Sequence, residues 1–232
     1  MKRTVGRRAR GAIILGSLAA IALAGAVALA LVNPLPATLH MGLHVLLMNA
    51  LAPLLTVATR DWVAPRDWVA PRDRVVAASG RMLFVATAAQ SAALWAAHMP
   101  AVIGWAHQAP QVYAVVHIVL FCAALWFWSS VLSQRGGQRW RAIAALLVTG
   151  KLFCLLGALL VLAPRALAPH PHLHPGALAS ALEDQQLAGL LMLSACVITY
   201  MAPGVIMAAR WLRELAAHGQ ARAAPVGLSR LA

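Results

Sequence analysis

Thr38-Leu39-His40-Met41-Gly42-Leu43-His44-Val45-Leu46-Leu47-Met48-Asn49-Ala50-Leu51-Ala52-Pro53-Leu54-Leu55-Thr56-Val57 decides the architecture. It contains no Asp, Glu, Lys or Arg over the roughly 20 residues that a helix needs to cross a 30 Å hydrocarbon layer. Backbone N–H and C=O groups in lipid must pair within the segment, so the run reads as a transmembrane helix. Working outward, comparable apolar runs lie at 11–32, 79–97, 110–132, 142–163 and 186–209. The expected fold is all-α: a polytopic membrane helix bundle of about six spans, residues 11–209. A basic leader (1–10) precedes it and a basic tail (210–232) follows.

Composition excludes a soluble domain. With 62% hydrophobic and 11% charged residues and a mean hydropathy of +0.76, the chain has too little polar surface to coat a globular core. A net charge of +13 suggests nucleic acid in a soluble chain. Here the cations flank the spans, so no nucleic-acid partner is expected and the lipid membrane is. Every Lys and Arg except Lys151 and Arg165 falls on one side of the six-span arrangement. By the positive-inside rule that side is the cytoplasm, with both termini on it. Every histidine except His218 lies on or beside the opposite, outer side. The first run also has secretory-leader character, with a small-x-small site at Ala28-Leu29-Ala30, but it is longer than a leader's apolar core and reads as a retained helix.

The chemistry concentrates at the outer end of the quoted run. Residues three, four and seven apart share a helix face, so His40, His44 and Met48 stack, with Met41 at the edge of the stripe. Two imidazoles with two thioethers suit copper(I) better than zinc, magnesium or calcium. The plain alternative is a gap-filling methionine and interfacial histidines bonded at headgroup level. His44 lies about 9 Å inside the boundary, where an imidazole without a role is expensive. His117 sits at matching depth on the fourth span, one turn below Tyr113. His98, ahead of Met99-Pro100, ends the third. Asp184 opens the sixth span in Glu183-Asp184-Gln185-Gln186, where it reads equally as a helix cap, a partner orienting an imidazole or an oxygen ligand.

Other features carry less. The repeat Arg60-Asp61-Trp62-Val63-Ala64-Pro65 and Arg66-Asp67-Trp68-Val69-Ala70-Pro71 reads as a duplicated loop, 58–78, at the headgroups. A docking element is the sharper alternative. Pro169-His170-Pro171-His172-Leu173-His174-Pro175 lies in the expected outer loop, 164–185, and reads as a metal collector or a spacer. Cys122, Cys154 and Cys196 lack Cys-x-x-Cys spacing and read as buried apolar thiols, not a disulfide scaffold. No phosphate loop, nucleophile elbow or paired catalytic carboxylate is present, so no enzyme activity is expected.

These motifs resemble the multi-span CtaG family of cytochrome c oxidase assembly proteins. The resemblance rests on His40-Met41-x-x-His44-x-Leu46-Leu47-Met48 with Ala52-Pro53-Leu54-Leu55, His98-x-Pro100, His117 ahead of Phe127-Trp128, and Glu183-Asp184-Gln185-Gln186-Leu187-Ala188-Gly189-x-x-Met192. It covers residues 33–209. The family's pattern implies a bacterial inner-membrane, multi-pass protein that helps mature haem-copper oxidases, with copper supplied from the periplasmic side and oxidase subunits or other copper chaperones as partners. Its histidine and aspartate positions fall on His40, His44, His98, His117 and Asp184. Leu43, Ala97, Tyr113 and Leu193 depart from it, standing where the family has Gln, Trp, His and Trp. The expected metal set is His40, His44 and His117 as copper ligands and Met41 and Met48 as soft accessory donors. His98 and Asp184 then complete or support the set. Two other readings stand beside it: a b-type haem protein ligated by His44 and His117, and a metal-free scaffold gripping subunits through the Trp-bearing loop.

Overall fold

The computed structural model describes residues 36–63, 72–134, 136–167 and 175–223 with five scattered positions of the first apolar run; side chains are described for 36–59, 80–106, 108–134, 136–167 and 180–217. The leader, most of the first span, most of the Arg/Trp/Pro repeat, the three histidines of the His-Pro tract, the His107 side chain and the end of the tail lie outside these residues. All regular structure among the described residues is helical.

Prolines punctuate the chain. A ring locks φ and removes an N–H that the first turn of a helix does not need, while the residue before it avoids the α region. Thus α1 (Ala37–His44), a π-helical turn (Val45–Leu51) and α2 (Ala52–Val63) follow Pro36 without a break, and α3 (Arg72–Ala97) begins after Pro71 in sequence. Of the loop expected over 58–78, residues 58–63 and 72–78 are helical, and 64–71 lie outside the described residues. Three further helices open on a proline: α4 (Pro100–Gln108), α5 (Pro110–Ser133) and α7 (Pro175–Cys196). A short 3-10 turn leads into α6 (Arg139–Leu162). After α7 come a second π-helical turn (Val197–Met201) and α8 (Ala202–Ala223). The sixth span thus starts well before residue 186, which shortens the expected 164–185 loop, and it continues through much of the expected 210–232 tail.

Four continuous helical stretches are long and apolar enough to span a membrane: 37–59, 110–133, 136–162 and 180–217. The pair 80–97 and 100–106 passes the same test taken together but is bent by 70° at His98-Met99, as in a broken span or a re-entrant loop. They correspond to the second through sixth runs of the sequence. α6 packs on α3, α7 and α8, while the first described span changes partner along its length, α1 lying on α7 and α2 on α5. Gly157 and Gly189 make the α6–α7 crossing close: a Cβ on Gly189 would lie 2.8 Å from the Gly157 carbonyl oxygen.

Both π turns precede an Ala-Pro pair, Ala52-Pro53 and Ala202-Pro203. Proline cannot supply its i→i−4 bond and its ring crowds the carbonyl of that residue, so the wider turn relieves both. The two turns meet in the core. Tyr200, from the second, donates to Asn49 Oδ1 of the first at 3.0 Å and accepts from Gln90 of α3 at 2.8 Å. Trp128 of α5 stacks on Tyr200 and donates to the Met48 carbonyl at 3.2 Å.

The cysteines depart from the reading of three buried thiols. Cys154 of α6 and Cys196 of α7 form a disulfide across the crossing, and Cys122 is exposed on α5. The glycine contact brings these helices close enough for two cysteines distant in sequence to meet, which spacing within one helix does not reveal.

Candidate metal centre

The histidine end is organised by Asp184. α1 has no side-chain cap of its own. Instead the Asp184 carboxylate accepts the Ala37 N–H and, at 3.2 Å, the Thr38 N–H, and the Thr38 hydroxyl donates to it as well. A carboxylate at a helix N-terminus satisfies orphan donors and complements the dipole. Asp184 therefore lies inside its own helix, well past its start at Pro175, and caps a different one. That fixes the start of the helix that carries His40 one turn later and His44 two turns later.

His40, His44 and His117 converge, each offering a nitrogen within 4.8 Å of the others. Ring centroids are 4.4 Å apart for His40 and His44, 4.6 Å for His44 and His117, and 4.9 Å for His40 and His117. His44 and His117 are only 2% and 0% exposed. Each binds the carbonyl four residues back through Nδ1: His44 to His40 at 2.9 Å and His117 to Tyr113 at 2.8 Å. His98 does the same with Leu94 at 2.8 Å, and its ring lies 5.5 Å from that of His44. A carbonyl only accepts, so the proton sits on Nδ1 and the Nε2 lone pair is left over. In His44, His98 and His117 that Nε2 is buried with no hydrogen-bond partner. An orphan of this kind costs about 1–3 kcal/mol, and three of them lie at this end of the bundle. Nδ1 bound to a carbonyl with Nε2 free is also the arrangement that holds metal-ligating imidazoles in orientation. An ion about 2.0–2.1 Å from each nitrogen would draw the donors only modestly inward.

Beside the cluster lies a cavity of about 240 Å³, walled largely by apolar side chains, among them Val102, Ile103 and Ala106 of α4. His40, Met41, His98, Tyr113 and Asp184 also line it. The Tyr113 hydroxyl is buried and unpartnered, and its ring is 4.3 Å from His117 and 5.3 Å from His40. Gln185 holds the segment after α6 against α7, accepting from Leu167 N–H at 2.7 Å and donating to the Leu160 carbonyl at 3.2 Å.

Of the residues singled out in the sequence, the structure brings His40, His44 and His117 together and sets His98 at their edge. Met41 lines the adjoining cavity. Met48 is buried at 1% exposure within the π turn that interrupts the α-helical stripe, and its carbonyl accepts from Trp128. Tyr113 was legible only as a neighbour of His117 in sequence. The α4 walls and Thr38 were missed, although Pro100 after His98 signalled a new helix. The haem reading fits poorly, because a macrocycle must lie between its axial ligands and the His44 and His117 rings are already in edge contact.

A family model described as the cytochrome c oxidase caa3 assembly factor, Caa3_CtaG, matches residues 2–214. The chain belongs to that family. No curated protein and no solved structure shows significant similarity to it. Membership makes this assembly factor a participant in cytochrome c oxidase maturation. Its apolar helices make it a membrane protein.

Proposed function

We propose that this assembly factor takes up a copper ion as cargo at His40, His44 and His117, on the outer, periplasmic side of a bacterial inner membrane, and releases it to an oxidase subunit or another copper chaperone. The observation that carries the reading is the set of orphaned Nε2 atoms: the fold bears the burden of buried, unpaired imidazoles just where three helix ends converge. Three imidazoles suit either copper or zinc. The oxidase context of the family favours copper. His98 and the Met41 thioether lie beside the cluster for transient ligation as the ion moves, and Met48 is an accessory donor one turn deeper. Asp184 acts through α1, holding His40 and His44 in place. No catalytic step is required of any residue. The Arg-rich end faces the cytoplasm in this orientation, with both termini on that side.

Copper analysis of the detergent-purified protein after loading with copper(I) and desalting tests the reading. About one ion per chain is expected, as three imidazoles form one site, with loss in His44→Ala and His117→Ala and a smaller loss in His98→Ala. Wild-type protein that retains no copper, or His44→Ala and His117→Ala variants that retain it fully, would overturn the proposal.

A further inference from the structure

The opposite end of the bundle holds a groove that metal handling does not use. Gly80, Arg81, Phe84 and Val85 of α3 and Arg141 of α6 line a space of about 530 Å³. The α3 residues are spaced one, four and five apart, so they form one helix face. The Arg141 guanidinium lies over Gly80, so close that any Cβ at position 80 would collide with its Nη1. It also stands 5.6 Å from the Trp140 ring centroid. Arg81 is exposed beside it. Below the two cations the wall is bare hydrocarbon: Phe84 is 75% exposed and Val85 48%.

Charge pairing separates these arginines from their neighbour. Arg139 forms a two-pronged pair with Glu214, whereas among the described residues Arg81 and Arg141 have no carboxylate within salt-bridge distance. A guanidinium matches phosphate through parallel N–H donors. Basic pockets between spans on the Arg-rich side suit anionic lipid headgroups. Two unpaired guanidiniums continuous with an exposed Phe-Val wall complement an amphiphile with an anionic head and a hydrocarbon tail. A zwitterionic lipid would bring its own cation to the same place.

We propose that this groove binds an anionic phospholipid, its phosphate held by Arg81 and Arg141 and an acyl chain lying along Phe84 and Val85, with Gly80 leaving the room that Arg141 occupies. Native mass spectrometry of the detergent-purified protein tests it, comparing phosphatidylglycerol with phosphatidylcholine of the same chains. The wild type should prefer phosphatidylglycerol by roughly tenfold or more, since each surface cation contributes to anionic-lipid binding. Arg81→Gln/Arg141→Gln should abolish that preference. Phe84→Ala should weaken both lipids and keep the preference. Gel-filtration profile and thermal melting identify a variant that has lost its fold. Arg141→Lys, which keeps the charge and loses the fork, supplies an independent reading as an intermediate preference. Equal binding of the two lipids, or a preference untouched in the double variant, overturns the proposal. So does displacement of phosphatidylglycerol by inorganic phosphate at equal concentration, which would mark a free-anion site.

Discussion

In the middle of the bundle Tyr200 donates to Asn49 and accepts from Gln90, and Trp128 donates to the Met48 carbonyl. At the histidine end, His44, His98 and His117 are equally buried, yet each keeps an unpartnered Nε2. Both regions place polar groups where the surroundings are apolar, but in the middle the Tyr200 hydroxyl is paired in both directions, with Gln90 Oε1 left over. The closed network joins two spans at their π turns. The open one leaves lone pairs unpaired beside the convergent nitrogens of His40, His44 and His117, the arrangement on which the proposed ion site rests. On the proposed function, the difference separates polar groups that join helices from polar groups that hold an ion in passing.

The largest expected effect breaks the open side. His117→Leu replaces an orphaned imidazole with an apolar side chain of comparable size, so copper affinity should fall by at least about 100-fold, or roughly 2.7 kcal/mol. The metal-free protein should be no less stable and can gain up to about 1–3 kcal/mol, the usual penalty of a buried unsatisfied group. Chelator competition and thermal melting in the same detergent check both halves. A variant that lost copper and stability together would mean that His117 is a packing residue. Tyr200→Phe tests the closed side. Each interhelical hydrogen bond lost should cost about 0.6–1.7 kcal/mol in a membrane setting, with copper affinity unchanged. If copper binding fell instead, the two regions would be one coupled site.

Asp184→Ala should produce a mixed result because the carboxylate belongs to neither class. It leaves Ala37 and Thr38 uncapped, which costs about 0.5–2 kcal/mol, and loosens the turn that presents His40. Melting should therefore drop while copper affinity declines by a smaller factor than in His117→Leu. Asp184→Asn, which keeps one acceptor oxygen, should recover part of both. An Asp184→Ala loss of copper as complete as that of His117→Leu, at unchanged stability, would instead make the carboxylate a direct ligand.

The same distinction explains what could be read from the sequence. The long apolar helices and the stacking of His40 on His44 follow from short-range periodicity, which reports what a residue meets within its own helix. His117 was placed by depth, since equal distance from a span end brings two helices to the same level. Asp184 on Ala37, Tyr200 on Asn49 and Cys154 on Cys196 join residues far apart in sequence, and a helical pattern carries no record of which neighbour it faces. The π turns sit between. Ala52-Pro53 and Ala202-Pro203 are visible as prolines within apolar runs, but a widened turn, a kink and a break all satisfy a proline there. Only the meeting of Asn49 and Tyr200 selects among them.

The smallest effect is expected at the Arg-rich end, where Arg139 and Glu214 tie α6 to α8. The pair is two-pronged, but its side chains are 40% and 51% exposed. An exposed ion pair contributes about 0.2–1 kcal/mol and is screened by salt. Glu214→Gln should therefore lower the melting temperature only slightly at low ionic strength and not measurably at high salt, with copper binding unaffected. A loss well above that range would place this end of α6 and α8 in a low-dielectric layer, where removing one partner strands the other charge. The Arg-rich end would then hold its polar groups as the middle of the bundle does, closed upon one another.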